Sequence, residues 1–223
     1  ISPNQVLIAD GNNHCLRFLD RLASKTETFS GNCTGSGNVD GVSTLFRYAR
    51  TVIINAKNPD YAFISEYFGY LKKISLLSRN VSTLWYGPKQ CNSKVQEQTT
   101  GNIFLTFPGY IGLLTLPNTL NMVAGSPTVL GFRDGTFTDS LFESPLGLTF
   151  LSDYILLLAD STSKRLRVLD LKSSTSSSIC SGITGYDDGN LTFCCLISPY
   201  SVRSVGNTVF VGDLQIIKII KLE

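Results

Sequence analysis

One histidine, six cysteines and several aspartates next to glycines are the residues of this chain best suited to chemistry. His14 lies in VLIADGNNHCLRFLD, residues 6–20, beside Cys15, Asp10 and two asparagines. A histidine-ligated metal or a Ser/His/Asp or Cys/His nucleophile would each have to use it. Metals of that kind ordinarily draw on several such ligands, and the chain has no second histidine. No C-x-x-C pair and no G-x-S-x-G elbow occurs. The glycine-rich stretches do not follow a strand and open a helix, as a phosphate cradle does. With no nucleophile, metal-ligand or acid/base constellation, the expectation is a protein without catalysis of its own and without a cofactor.

The cysteines speak instead of compartment. Cys15, Cys33, Cys91, Cys180, Cys194 and Cys195 are even in number and lack zinc spacing. Three glycosylation sequons accompany them, at Asn32, Asn80 and Asn190. Together they favour an oxidising setting, either secreted or on the extracellular face of a cell. The alternative is a cytosolic scaffold with free thiols. Local bridges are expected between Cys15 and Cys33, and between Cys180 and Cys194 or Cys195. Vicinal cysteines rarely bond one another, so the remaining one of the last two is expected to reach Cys91.

Charged residues make up 16% of the 223, and the formal net charge is +2. That is far from the concentrated basic face of a nucleic-acid binder. No run of about 20 apolar residues is present to insert this segment into a membrane.

The elements that must position these residues come from a repeat. VLIADGNNHCLRFLD (6–20) reads onto ILLLADSTSKRLRVLD (155–170), with weaker copies at 61–76, 102–116 and 208–222. Each copy is a β-hairpin by pattern: short runs rich in Val, Ile, Leu, Phe and Tyr around a polar or Gly-bearing turn. A third strand follows the first four copies, at 26–31, 81–87, 119–125 and 176–182. Asp-Gly loops at 37–41, 131–135 and 185–189 come before apolar runs that lead into further copies, such as 51–55, 146–151 and 201–205. Four-stranded units at a spacing of about 40 to 55 residues predict an all-β propeller, a single domain over 1–223 with units starting near 6, 61, 102, 155 and 208. A four-stranded sheet cannot bury both faces alone, and stacking against neighbours does so.

ADGNNHCLRFLD, DGTFTDSLFESPLGLTF with LLLADSTSKRLRVLD, and DDGNLTFCCLISPYSVRSV resemble NHL repeats. The match is good in the first and fourth units, fair in the fifth, and poor in the second and third. The resemblance implies a β-propeller of four-stranded NHL-like blades, five units visible; the alternative is an incomplete six-bladed propeller. It implies little about activity, because NHL propellers carry unrelated functions. The enzyme reading nearest the family is a propeller hydrolase or lyase with a metal and several histidines in a central channel, and those histidines are missing here.

Within the repeat His14 is a turn residue, at the place of Lys164. Asp10 and Asp160 end the first hairpin strand, where an aspartate ties down backbone N–H groups. A ring of carboxylates at this place could bind calcium weakly, but units two, three and five present Glu66, Phe107 and Asp213. The Asp-Gly loops lack a calcium ladder and read as turns with glycine at positive φ. In units two and three the polar turn is replaced by EYFGY and FPGYIG. Tyr67, Phe68, Tyr70, Phe107 and Tyr110 are therefore expected at the rim, as a surface for a protein or glycan partner. Lys72, Lys73 and Arg79 nearby offer a nucleic-acid reading, which the small net charge and the secretory signals oppose.

Overall fold

The computed structural model describes residues 2, 4–55, 57–87, 91–96, 101–115, 119–180, 182–185 and 194–221, without the side chains of 93–96. The chain divides into two compact units, Ile1–Cys91 and Asn92–Glu223. All regular structure among the described residues is antiparallel β-sheet, and no helix there is long and apolar enough to cross a membrane.

The first unit holds two sheets. Sheet 1 is β1 (Gln5–Asp10), β2 (Cys15–Asp20) and β3 (Lys25–Gly31), in that order. Sheet 2 is β4 (Ala49–Ile54), β5 (Tyr61–Glu66), β6 (Tyr70–Ser75) and β7 (Val81–Tyr86). The second unit holds three sheets. Sheet 3 is β8 (Ser93–Gln96), β9 (Ile103–Phe107), β10 (Tyr110–Thr115) and β11 (Thr119–Gly125). Sheet 4 adds a two-residue strand, β12 (Gly135–Thr136), outside β13 (Pro145–Ser152), β14 (Ile155–Asp160), β15 (Arg165–Asp170) and β16 (Thr175–Ile179). Sheet 5 is β17 (Pro199–Val205), β18 (Thr208–Asp213) and β19 (Ile216–Lys221).

The five sheets coincide with the five sequence units. Their registers superpose: Asp10 faces Cys15, Asp160 faces Arg165, and Asp213 faces Ile216, with Arg17, Arg167 and Lys218 two residues further along the second strand. Lys72 opposite Ile64 and Gly112 opposite Leu105 hold the same position in sheets 2 and 3.

Strand composition follows burial. β14, ILLLAD, is buried from its second residue onward, so it carries no polar alternation until the closing aspartate. The turns repeat as closely as the strands. His14 and Lys164 both take φ 57°, left-handed backbone that ends a four-residue turn. The Leu-Asp that closes each good copy is a turn device. Asp20 accepts the N–H groups of Leu22 and Ala23, and Asp170 those of Lys172 and Ser173. These backbone donors hold both carboxyls below the usual range.

In the first unit the core joins Leu16 and Phe29 to Phe46, Ala62, Ile64, Ile74 and Val81. In the second, one cluster joins Phe104 and Ile111 to Phe142, Leu156 and Leu158, and another joins Leu157, Ala159 and Leu166 to Val202, Val209 and Val211. Disulfides join Cys15 to Cys33 and Cys180 to Cys194; Cys91 and Cys195 are both buried. Peptide mapping without reduction is expected to recover the 15–33 and 180–194 linked pairs. Recovery of a Cys180–Cys195 link would contradict this pairing.

Candidate functional site

Sheets 4 and 2 each carry a buried polar device whose parts come from three segments. In sheet 4 the wholly buried Asp160 accepts N–H bonds from Glu143 at 3.2 Å and Ser144 at 2.7 Å, fixing the chain just before β13. Arg167, also wholly buried, stands 3.5 Å from Asp160 and 2.8 Å from Asp134 of the Asp-Gly loop. It donates further to the carbonyls of Leu141 and Arg133. Burial pulls the guanidinium below its ordinary value, and the two aspartates oppose that. In sheet 5 Asp213 accepts from Ile197 and Ser198 in the same way.

Sheet 2 has a weaker copy. Lys72, with no exposure, reaches Asp40 at 2.9 Å and Glu66 at 3.8 Å. Asp40 also accepts from the N–H and hydroxyl of Thr83. Burial pushes the Asp40 carboxyl up, but the Lys72 and Thr83 hydrogen bonds outweigh it and hold the group below its ordinary value. Glu66 is longer than aspartate and takes a single backbone donor, Arg47, on one oxygen. Its other oxygen has no hydrogen-bond partner. Burial, against partial relief from Lys72, pushes this carboxyl up to about 7.

Sheet 3 has lost the device in both parts at once. Phe107 replaces the carboxylate and Gly112 the cation. A Cβ at Gly112 would lie 3.1 Å from the Phe107 ring and 2.9 Å from Leu120, so the ring occupies the space a cation stem would need.

This corrects the expected rim. Phe107 is the last residue of a strand and wholly buried; it is not a turn residue. Tyr110 is half-buried and stacks on it, 4.7 Å between centroids and 9° between planes. Tyr70 is half-buried and stacks on Tyr86 at 4.4 Å. Only Tyr67 and Phe68 remain exposed, each 41%. Lys72 is buried too, so it is unavailable to a phosphate backbone.

Around Tyr67 and Phe68 the first unit builds a surface that the sequence did not show. Tyr48, 41% exposed, lies 6.1 Å from Tyr67, and Tyr67 lies 5.1 Å from Phe68. Arg47 sits over the Phe68 ring at 4.0 Å and Arg50 over Tyr67 at 5.3 Å. His14 closes the group. Its Nδ1 accepts the Tyr48 N–H at 3.3 Å and its ring meets Tyr48 edge-on at 5.2 Å. Beside these residues lies an open cavity of about 670 Å³, lined by Ile8, Asp10, Arg17, Tyr48, Arg50 and Tyr67 among others. Glu66 fixes the segment that carries Arg47, Tyr48 and Arg50 by accepting the Arg47 N–H.

Of the sequons, Asn32 is exposed and its side-chain oxygen accepts the N–H and hydroxyl of Thr34. Asn80 is exposed, and Asn190 lies outside the described residues, as does most of the 185–189 loop. Among the described residues no three or more His, Cys, Asp or Glu side chains gather where they could hold a metal ion.

No protein-family model matches the chain, and no curated protein matches it. Solved structures do. An auxiliary nutrient binding protein from Bacteroides ovatus is similar over 99% of this chain and 67% of its own, with 14% identity and a TM-score of 0.71. A chain of a nidogen/laminin complex is similar over 98% of this chain and 72% of its own, with 13% identity and a TM-score of 0.70. A protein of unknown function from Bacteroides thetaiotaomicron is similar over 95% of this chain and 64% of its own, with 14% identity and a TM-score of 0.70. This chain thus spans about two thirds of the length of these three chains. The likeness defines the class: an all-β chain of β-propeller type.

Proposed function

We propose that the chain is a non-catalytic binding module of an extracellular glycoprotein with NHL-type blades, and that it engages a protein or glycan partner through the rim of sheet 2. The observation that carries this is the exposed trio Tyr48, Tyr67 and Phe68 with Arg47 and Arg50 stacked on two of the rings. Aromatics and arginine are the side chains most enriched where binding energy concentrates. Support for the extracellular setting comes from the two disulfides, the exposed Asn32 and Asn80, and the names of similar structures, one a nutrient binding protein and one a nidogen/laminin complex. The reading needs no resident ion, because Asp160 and Asp213 already accept backbone N–H bonds. It needs no histidine chemistry, because His14 is a turn residue that receives Tyr48.

A glycan array and immobilised matrix proteins probed with the chain test this. Wild type is expected to retain a saturable partner, and Tyr67→Ala/Phe68→Ala is expected to weaken it by about tenfold or more. These side chains are exposed, so folding is preserved. A partner indifferent to both substitutions would move the site elsewhere, and turnover of a bound ligand would replace this reading with the hydrolase one.

A further inference from the structure

The sequon Asn32-Cys33-Thr34 is built around a bonded cysteine: Cys33 is joined to Cys15, the wholly buried first residue of β2. Asn32 follows directly on β3. Gly31, just before it, takes φ 92° and has no room for a side chain. A Cβ there would lie 2.7 Å from the Phe46 ring and 2.9 Å from the His14 carbonyl oxygen. The residues on both sides of Asn32 are therefore held. The sequon itself is closed into a turn. Asn32 Oδ1 accepts the Thr34 N–H at 3.0 Å and the Thr34 hydroxyl at 2.8 Å, and the Asn32 carbonyl accepts the Gly35 N–H at 3.1 Å.

These contacts oppose the addition of a sugar but not its presence. Glycosyl transfer must engage the asparagine amide and the hydroxyl two residues on together. Here the two are bonded to each other, and freeing them requires the segment to open locally. With Cys33 tied to buried Cys15 it cannot; in the reduced chain no tether exists. Nδ2, the atom that would carry the sugar, makes no hydrogen bond among the described residues, and Asn32 is exposed. A sugar already in place leaves every bond above intact. Asn80 is the contrasting case: exposed, in the turn between β6 and β7, with no cysteine in its sequon.

We infer that Asn32 is glycosylated only before the Cys15–Cys33 bridge closes, so that its occupancy is set by a race between the two reactions and the chain exists in two forms. This deepens the glycoprotein reading above and rests on it. In transfer, Nδ2 bonds the anomeric carbon of a lipid-diphosphate-linked oligosaccharide, the bond from that carbon to the diphosphate oxygen breaks, and the amide gives up one proton. In closure, Cys15 and Cys33 lose two protons and two electrons to the disulfide of a thiol oxidoreductase in the same compartment. The cysteines are 18 residues apart, which synthesis covers in roughly 1–4 s at about 5–20 residues per second. Bridge formation takes seconds or longer, so neither reaction has a head start. Gly31 packs on His14 and Phe46, the neighbours of Tyr48 and Arg47, so the two forms differ at the rim end of the first unit.

The full chain, with a cleavable secretion leader, is expressed in a eukaryotic cell line, and occupancy at Asn32 and Asn80 is read by glycopeptide mass spectrometry. Transfer precedes any check on folding, so whole-cell extract serves even for a variant that is not secreted. Partial occupancy at Asn32 is expected in the parent, rising about twofold or more in Cys15→Ser, where the competing reaction is gone. Cys180→Ser breaks the other bridge and should leave Asn32 as in the parent, and Asn80 should be the same in all three. Peptides mapped without reduction should show parent molecules with both the sugar and the 15–33 bridge. Equal Asn32 occupancy in parent and Cys15→Ser, a rise shared by Cys180→Ser or by Asn80, or sugar and bridge never found on one molecule would each overturn the inference. Asn32 bare in every form beside an occupied Asn80 would overturn it alone; sugar at neither position in any form would overturn the glycoprotein reading with it.

Discussion

Arg167→Met is expected to destabilise the chain by about 3–5 kcal/mol, seen as a lower midpoint of urea unfolding with an unchanged slope. Methionine fills much of the same volume, so the loss is electrostatic. It leaves Asp160 wholly buried with its cation gone and takes the side-chain donor from the Leu141 and Arg133 carbonyls, which keep only each other's backbone N–H. Removing one partner of a buried pair strands the other charge, whereas removing both together is often tolerated. Sheet 3 has taken the second course, with Phe107 and Gly112 in place of carboxylate and cation. The counterpart Phe107→Asp restores the residue type that three of the five sheets carry, yet it is expected to cost about as much as Arg167→Met. It places a carboxylate in a wholly buried site where a glycine stands in place of the cation. A loss below about 1 kcal/mol in either variant would show that the device is not a structural one.

The repeat was legible because its signals are local. Strand runs, Asp-Gly loops and left-handed turn positions lie within a dozen residues of one another, and the hairpins at 6–20 and 155–170 appear where their pattern places them. The third strands and most leading strands follow too. β8, SKVQ, escaped because its composition is polar, and β12 because two residues carry no period. The aromatic rim was misplaced for a geometric reason. The turns between the paired strands are four residues long in sheets 1 and 4, but shorten to three in sheet 2 and two in sheet 3. Aligning them by turn makes Phe107 a rim residue; aligning them by strand register makes it the counterpart of Asp160. The loop aspartates were read as turn formers, and Gly41 and Gly135 do take positive φ, 110° and 141°. Their second task was invisible, because Asp134 meets its cation 33 residues away. Arg47, Tyr48 and Arg50 were passed over because nothing in LFRYARTV marks a surface until Glu66 is seen to hold the Arg47 N–H.

Glu66 should also make stability fall as pH rises from about 5 to 7. A carboxyl that titrates near 7 when folded, against an ordinary 4.5, binds its proton more tightly in the folded chain. Folding then takes up a proton across that window, so its stabilising contribution is complete below about 4.5 and is lost as pH climbs through about 7. The loss amounts to about 3.5 kcal/mol at most, at about 1.4 kcal/mol per unit. Asp20, Asp40 and Asp170 act in the opposite sense and elsewhere: their carboxyls are held below 3.8, so their contribution is lost only as pH falls below about 4. Glu66→Gln keeps the side-chain length and an oxygen for the Arg47 N–H but carries no charge. Between pH 5 and 7 its stability should be nearly flat, and at pH 8 it should exceed that of the parent. His14→Asn in both proteins removes the one imidazole from the comparison, and asparagine tolerates its left-handed backbone. A parent whose unfolding midpoint does not fall between pH 5 and 7, or a Glu66→Gln protein that keeps the slope, would show that the charge on Glu66 is matched by Lys72 after all. If the slope is found, the buried carboxyl that holds Arg47 and Tyr48 in place is a strained element directly beneath the proposed rim, and partner affinity at the rim should be measured on both sides of pH 7.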